Sequence, residues 1–464
     1  MISVHDQTLA GALDRLVGFR CEFYGCLTAR ADALFELADA VLCAEGPVTS
    51  LPELSLVPEH RRGHGAMYDA LACGRIDLTR LTMALAGLSL PRRDGQLVIA
   101  IDVTPWPRPD AECSPHRLHC HRPCRCDGVR QTIPGWPYSV AAALGTGRSS
   151  WTAPLDIRRL GPHDDPTEVT ATQIRELHAR LHAAGHLPAG DPPLLVVLDS
   201  GYDLVRLTWL LGDLPVGLLG RLRSDRVMFS PGGPRRGSHP GRLPRHGDRF
   251  AFADPATHPE PEWESTGTHP RYGDTRARAW TRLHPRPERR GAWSDHPGTL
   301  PLVEGTIVHL AVEHLPGNRT PKPVWLWFNH PITDTDIDHL WRSYLRRFDL
   351  EHTFRFIKQV LGFTRPRPRH GDQADRWAWL IVAAYTQLRL ARPLTPDLRR
   401  PWEKPLTADK ITPGRVRRSF RRIRHTTGNP ASAPKATHPG PGRPPGRNTH
   451  PAPRHPVGKH PKTG

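Results

Sequence analysis

Apolar residues recur at helical spacing through the first ninety positions, run together in the middle of the chain, and return to helical spacing near the C-terminus. The order predicted is therefore helices, then strands, then helices. ALFELADAVLC (33–43), GAMYDALACG (65–74) and LTRLTMALAGL (78–88) have the early helical pattern, broken by GPVTSLPEL. LVIAIDV (97–103) then reads as a buried strand ending at Asp102 before a Pro-rich turn. GWPYSVAAALG and SSWTAPLDI read as further strands, and ATQIRELHARLHAAG as an amphipathic helix. LLVVLD (194–199) is a second buried strand ending in an acid, Asp199, with a helix expected from about Asp203. Strands separated by helices at this spacing imply a partly parallel sheet, whose ligand crevice lies beyond the carboxyl ends of its strands.

One stretch ties the late helices to that crevice. In WRSYLRRFDLEHTFRFIKQVLGF (341–363), Tyr344, Arg347, Glu351 and Lys358 fall on one face of a predicted continuous helix, while Leu350, Phe354, Ile357 and Leu361 form its buried stripe. A helix crossing the strand ends would bring Glu351 to Asp102 and Asp199. Three carboxylates with no basic residue among them repel one another and would need divalent cations to stay ionised. Oxygen-only ligation selects a hard ion, Mg2+ or Mn2+, and two such ions can serve phosphodiester chemistry. Asp110 and Glu112, in the loop after the first strand, are rivals for the Asp102 position.

Composition names the partner. The 464 residues carry a formal net charge of +18 and a pI of about 10.2, which favours a polyanion over a small neutral ligand. No apolar run approaches the ~20 residues of a membrane span, and the N-terminus lacks a signal-like pattern, so a cytoplasmic, nucleoid-associated protein is expected. Candidate phosphate contacts are Arg61 and Arg62 in a basic turn, Arg235, Arg236 and Arg245 in a Pro/Gly-rich loop, and Arg417, Arg418, Arg421 and Arg422 in RVRRSFRRIR. That loop reads as an extended arm rather than a packed element. Eight cysteines in so long a chain do not make a disulfide scaffold. Cys113, His116, His119, Cys120, His121, Cys124 and Cys126 crowd one segment, but their spacing lacks paired knuckles, and they are read as part of a basic loop.

The spacing Tyr344-x2-Arg347-x3-Glu351-x6-Lys358, with IPGWPYS (133–139), DSGYD (199–203), LEHTFRFIKQ (350–359) and ADRWAWLIVAAYTQLRLAR (374–392), resembles the DDE transposases of bacterial insertion sequences that share a Tyr-Arg-Glu-Lys signature. The resemblance implies an α/β, RNase H-like catalytic core in which Asp102, Asp199 and Glu351 bind the metal. It also implies that Arg347 and Lys358 hold DNA phosphates and that Tyr344 stacks at the transposon end. The expected activity is metal-dependent cleavage at terminal inverted repeats followed by strand transfer into target DNA, carried out by a homodimer on double-stranded DNA. A metal-dependent endonuclease without strand transfer, and an inactive transposase-derived DNA-binding protein, are the alternatives.

The same reading divides the chain into a helical N-terminal domain (1–93), the first part of the core (94–220), an inserted basic and β-rich unit (221–335), the second part of the core (336–409) and a basic Pro/Gly-rich tail (410–464), with disorder expected in its last ~35 residues. In the inserted unit GTIVHLAVEHL and PVWLWFNH have strand character. Trp263, Trp325 and Trp327 are either core aromatics or platforms for a flipped base.

Overall fold

The structure is a computed structural model that describes residues 4–122, 131–145, 147, 149–233, 244–315, 321–332, 334–435 and 451–458. Arg235, Arg236, Cys124 and Cys126 lie outside the described residues.

A ten-stranded mixed sheet organises the chain. Its strands are β1 (Val98–Pro107), β2 (Leu118–Arg122), β3 (Gln131–Leu144), β4 (Thr152–Arg159), β5 (Leu194–Leu198), β6 (Val216–Leu222), β7 (Trp263–His269), β8 (Gly273–Leu283), β9 (Gly305–Val312) and β10 (Val324–Phe328). From one edge to the other they run β7-β8-β9-β10-β6-β5-β1-β3-β2, with β4 also paired to the long β3. Only β1 with β5 and β5 with β6 pair parallel; the other pairs are antiparallel. The strand with a parallel neighbour on each side, β5, is an unbroken apolar run, as burial on both faces requires: all of Leu194–Leu198 is buried.

β1 does not end at Asp102 as its local sequence suggests. It continues through Thr104-Pro105-Trp106-Pro107 because β3 pairs with it antiparallel all the way from Ile99↔Ala143 to Pro107↔Gly135. What ends beside Asp102 is the parallel pairing, whose last rung is Ile101↔Leu198. Asp102 and Asp199 are thus the next residues on two adjacent strands, side by side where the sheet opens.

The interval between Asp199 and Glu351 adds strands to this same sheet: β10 pairs with β6, and β9, β8 and β7 follow outward. The Arg-rich segment expected as an extended arm is partly paired, since Val227–Pro231 and His246–Ala251 form an antiparallel hairpin. Trp325 and Trp327 are core residues. Trp325 stacks on Phe252 at 4.3 Å, and the Trp327 indole donates to Thr208 at 3.1 Å. Trp263 is half-buried against the same core.

Helices cover the sheet. Pro166–Ala183, capped by Asp165, links β4 to β5. Gly371–Ala391 packs on β4, on the N-terminal helices Val4–Gly25 and Ala31–Cys43, and on the basic helix Pro413–Thr426. A buried ionic knot joins all four of these helices. The Arg20 guanidinium donates to both oxygens of Asp39 at 2.7 and 3.0 Å and to Gln387 at 2.5 Å, and Arg424 donates to Asp39 at 3.1 Å. Part of the tail is also packed: Gly458 bridges Leu118 at the β2 edge, and His455 N–H donates to the Glu112 carbonyl. Its reason for ordering is the open backbone edge of β2, which offers hydrogen bonds that a Pro-rich segment can take without a core of its own. Among the described residues no helix is long and apolar enough to cross a membrane.

Candidate active site

The predicted continuous helix is two helices, Asp334–Arg346 and Phe348–Gln359, with Arg347 at the junction. The backbone there tightens to three-residue hydrogen bonds, Arg347 N–H to Tyr344 O and Leu350 N–H to Arg347 O, both 3.0 Å. The first helix rests on β5 to β9 and the second on β1, β3 and β4, so their junction lies over the point where Asp102 and Asp199 stand. Leu350, Phe354, Ile357 and Leu361 are buried as the stripe requires. Glu351 sits in the first turn of the second helix, where the helix dipole favours a carboxylate.

All three acids converge, and they converge on a cation supplied by the chain. Arg347 Nη1 lies 3.1 Å from Asp102 Oδ2, while its Nη2 lies 3.2 Å from Glu351 Oε1 and 3.6 Å from Asp199 Oδ2. This corrects the expectation of three acids with no basic residue among them: the arginine four positions before Glu351 reaches the same point as Glu351 because i and i+4 share a helix face. Tyr344 completes the cluster, with Oη 3.4 Å from Asp199 Oδ1 and its ring 5.9 Å from the Arg347 guanidinium carbon.

The side chains differ in their access to water. Arg347 is 10% exposed, Asp102 22%, Asp199 36% and Glu351 40%, so the cluster opens on the Asp199–Glu351 side. Burial pushes the Asp102 carboxyl up to about 6, against the pull of the Arg347 guanidinium and of the Val103 N–H, which donates to it at 2.8 Å. Burial also raises the Tyr344 phenol, to about 12, helped by the Asp199 charge. Burial works against the Arg347 charge, yet Asp199, Tyr344, Asp102 and Glu351 together raise its pKa above the ordinary value.

Asp110 and Glu112 are both exposed in the loop after β1, and Glu112 pairs with Arg454 at 3.2 Å. Neither belongs to the cluster. Among the described residues no three His, Cys, Asp or Glu side chains stand as a ready-made metal cage. The donor set nevertheless fits a hard ion, since three carboxylates already share one cationic centre and present only oxygen to it.

Lys358, two turns beyond Glu351, is drawn down to about 8 by burial, with Cys120 of β2 and Asp102 partly restoring its charge. Its folded pKa is depressed, so the stability it contributes is present at high pH and is lost as pH falls through about 8. Lys358→Met is therefore expected to stabilise the protein by roughly 1 kcal/mol at pH 7, after allowance for partial solvent access. The gain should shrink between pH 8 and 10.5. Thermal melts across that range check the sign; a loss of stability at pH 7 would show that the charge is well solvated.

Several predicted phosphate contacts serve the fold. Arg417 is buried and donates to the Val41 and Gly46 carbonyls. Arg421 pairs with Glu59, Arg418 with Glu403, Arg61 with Glu36, and Arg62 with Asp32. Arg245 donates to the Leu300 carbonyl, whereas Arg422 is exposed. On the helix Pro413–Thr426 the cause is docking: Val416, Phe420 and Ile423 are buried, and Arg421 and Arg418 meet Glu59 of the N-terminal region and Glu403 of the preceding loop.

A groove of about 1580 Å³ leads away from Asp199. Arg223, Arg226, Arg286 and Arg290 line it with Trp293 and Phe229; Arg223, Arg226 and Phe229 come from the Arg-rich segment, and Arg286, Arg290 and Trp293 join them from a later part of the chain that no motif marked. Val103 and Phe348 are also exposed, at 37% and 44%, each next in sequence to a member of the cluster.

No curated protein matches the chain. The family described as DDE superfamily endonuclease matches residues 22–286, a span that includes Asp102, Asp199 and the first wall of the groove. That span is more than half of the sequence, and the chain belongs to the DDE superfamily endonuclease family.

Proposed function

We propose that this member of the family is a DNA transposase with an RNase H-like core, which binds the ends of its own element, hydrolyses a phosphodiester to expose a 3′-hydroxyl, and uses that hydroxyl to attack target DNA. The observation that carries the reading is the convergence of Asp102, Asp199 and Glu351 from two neighbouring strands and a crossing helix onto one cationic centre. Asp102, Asp199 and Glu351 would hold Mg2+ or Mn2+, two ions per site. When bound, such ions polarise phosphorus-bound oxygens and favour the deprotonated nucleophile.

The chain's own groups do the rest. Arg347 offers a planar fork to phosphate oxygens and Lys358 a point charge, which together orient the backbone for in-line attack. Tyr344, whose hydroxyl donates to Asp199, is assigned to the transposon end, where its ring would stack. Of the arginines lining the groove, Arg226 and Arg286 would meet phosphates of the duplex directly, and Arg223 and Arg290 on leaving Asp225 and Glu288, with which they pair at 2.6 and 2.9 Å. Hydrolysis and strand transfer are both displacements at phosphorus, so one site can serve them in turn, and two ends handled together imply a homodimer on double-stranded DNA.

The test is purified protein, Mg2+ and a duplex carrying the element's candidate terminal inverted repeats, with cleaved and joined products resolved on a gel. Joined products are expected. Discrete cuts without joining favour an endonuclease that stops at hydrolysis, and binding with neither product favours an inactive DNA-binding protein.

A further inference from the structure

We propose that Arg347 is the resident counter-ion of the carboxylate cluster, displaced jointly by a divalent cation and by DNA phosphate, so that metal and DNA bind cooperatively through this one side chain. The inference rests on the active-site reading above and adds to it a coupling that the reading does not require.

The geometry is that of direct competition. The guanidinium lies within 3.1 to 3.6 Å of an oxygen on each of the three acids, so a cation held by the same oxygens takes its place. Displacement alone is costly. The Arg347 side chain is 10% exposed, and a guanidinium moved off its carboxylates in such surroundings must find another anion. A DNA phosphate is that anion, and its two non-bridging oxygens give the planar guanidinium fork a two-point acceptor. The converse holds with equal force. Phosphate that draws Arg347 away leaves three carboxylates facing one another and the DNA, a repulsion that a divalent cation relieves.

Each ligand therefore removes the obstacle to the other, and by linkage each must raise the other's affinity by the same factor. The position of Arg347 allows the exchange. It stands at the junction of two helices rather than inside either, and the Tyr344 ring beside it offers a face along which the guanidinium can turn.

The experiment is a calorimetric Mn2+ titration of the full chain, with and without a short duplex of random sequence ending in 3′-hydroxyls. Wild type is expected to bind Mn2+ about five- to hundred-fold more tightly with the duplex present. Arg347→Gln should bind Mn2+ more tightly than wild type in the absence of DNA and gain clearly less from the duplex, keeping only the part that comes from repulsion between the acids and the phosphates. Arg347→Lys, which keeps a charge but not the fork, should fall between the two and carries the comparison if the Gln variant does not melt cooperatively. Equal DNA-free Mn2+ affinity in wild type and Arg347→Gln, or an undiminished duplex effect in the variant, overturns the coupling. The active-site reading survives that result provided Asp199→Asn abolishes the Mn2+ signal. Absence of Mn2+ binding by wild type under both conditions overturns both.

Discussion

Asp102→Asn, Asp199→Asn and Glu351→Gln are each expected to lower Mg2+-dependent DNA cleavage by roughly a thousand-fold or more, equivalent to about 4 kcal/mol of transition-state stabilisation. Each change keeps the size of the side chain and removes one negative oxygen donor from a cluster that has only three. DNA affinity in the absence of metal should hold or rise, because one acid fewer opposes the phosphates. The two measurements together separate loss of chemistry from loss of binding. Asp110→Asn and Glu112→Gln, on the exposed loop beyond β1, are controls that should cleave as wild type does. Near-normal cleavage by any one of the three variants would remove that residue from the active site.

The second large effect concerns stability, and it has opposite signs for two aspartates. Asp39→Ala is expected to destabilise the protein by about 3–5 kcal/mol, since it strands the buried Arg20 guanidinium and removes the partner of Arg424. Asp102→Asn should stabilise the metal-free protein at pH 7. Burial raises the Asp102 carboxyl from 3.8 to about 6, so protonation favours the fold. That contribution is fully present below about 3.8 and is lost as pH rises through about 6. The shift is worth about 3 kcal/mol at most, and the water that reaches the side chain brings the expected gain to roughly 1–2 kcal/mol. Denaturant melts at pH 7 and pH 4 in chelator would show the Asp102→Asn advantage at the higher pH and little of it at the lower. A destabilised Asp102→Asn variant at pH 7 would mean that Arg347 repays the whole cost of burying that charge. The contrast sets a structural acid, enclosed by two guanidiniums, against an acid held in an environment that its fold alone does not reward.

Local patterns located most of the elements that build the site. Unbroken apolar runs marked β1 and β5, and the 3.6-residue periodicity marked the helices on either side of Arg347. What those patterns did not contain was pairing. The extension of β1 past Asp102 depends on β3, whose partner residues Gly135 to Ser139 come roughly thirty positions later, and Pro105 and Pro107 hid it because proline is usually a strand breaker. The junction at Arg347 was equally hidden, since helical spacing continues through it and only the packing of the two helices on different strands bends the chain.

Charge misled in a different way. A run such as RVRRSFRRIR looks solvent-facing from its composition, yet Val416, Phe420 and Ile423 dock it on other helices, and acids far away in sequence meet its arginines. The same blindness applied within the site, where Arg347 and Glu351 were placed on one face but the arginine's reach into the acid cluster depended on β1 and β5 lying beneath it.

The lateness of Glu351 has a consequence for the protein as it is made. Asp102 and Asp199 come together once β1 and β5 pair, but the third acid follows after five more strands of the same sheet and enters only four residues behind Arg347. A growing chain on the ribosome, or a fragment cut short before this turn, carries two of the three acids and no complete site. When the third acid does emerge, its own neutralising cation has already left the exit tunnel one helical turn ahead of it. Until that turn is made the chain has the two strand acids without the third, and the order of the residues sets the balancing arginine ahead of the acid it meets.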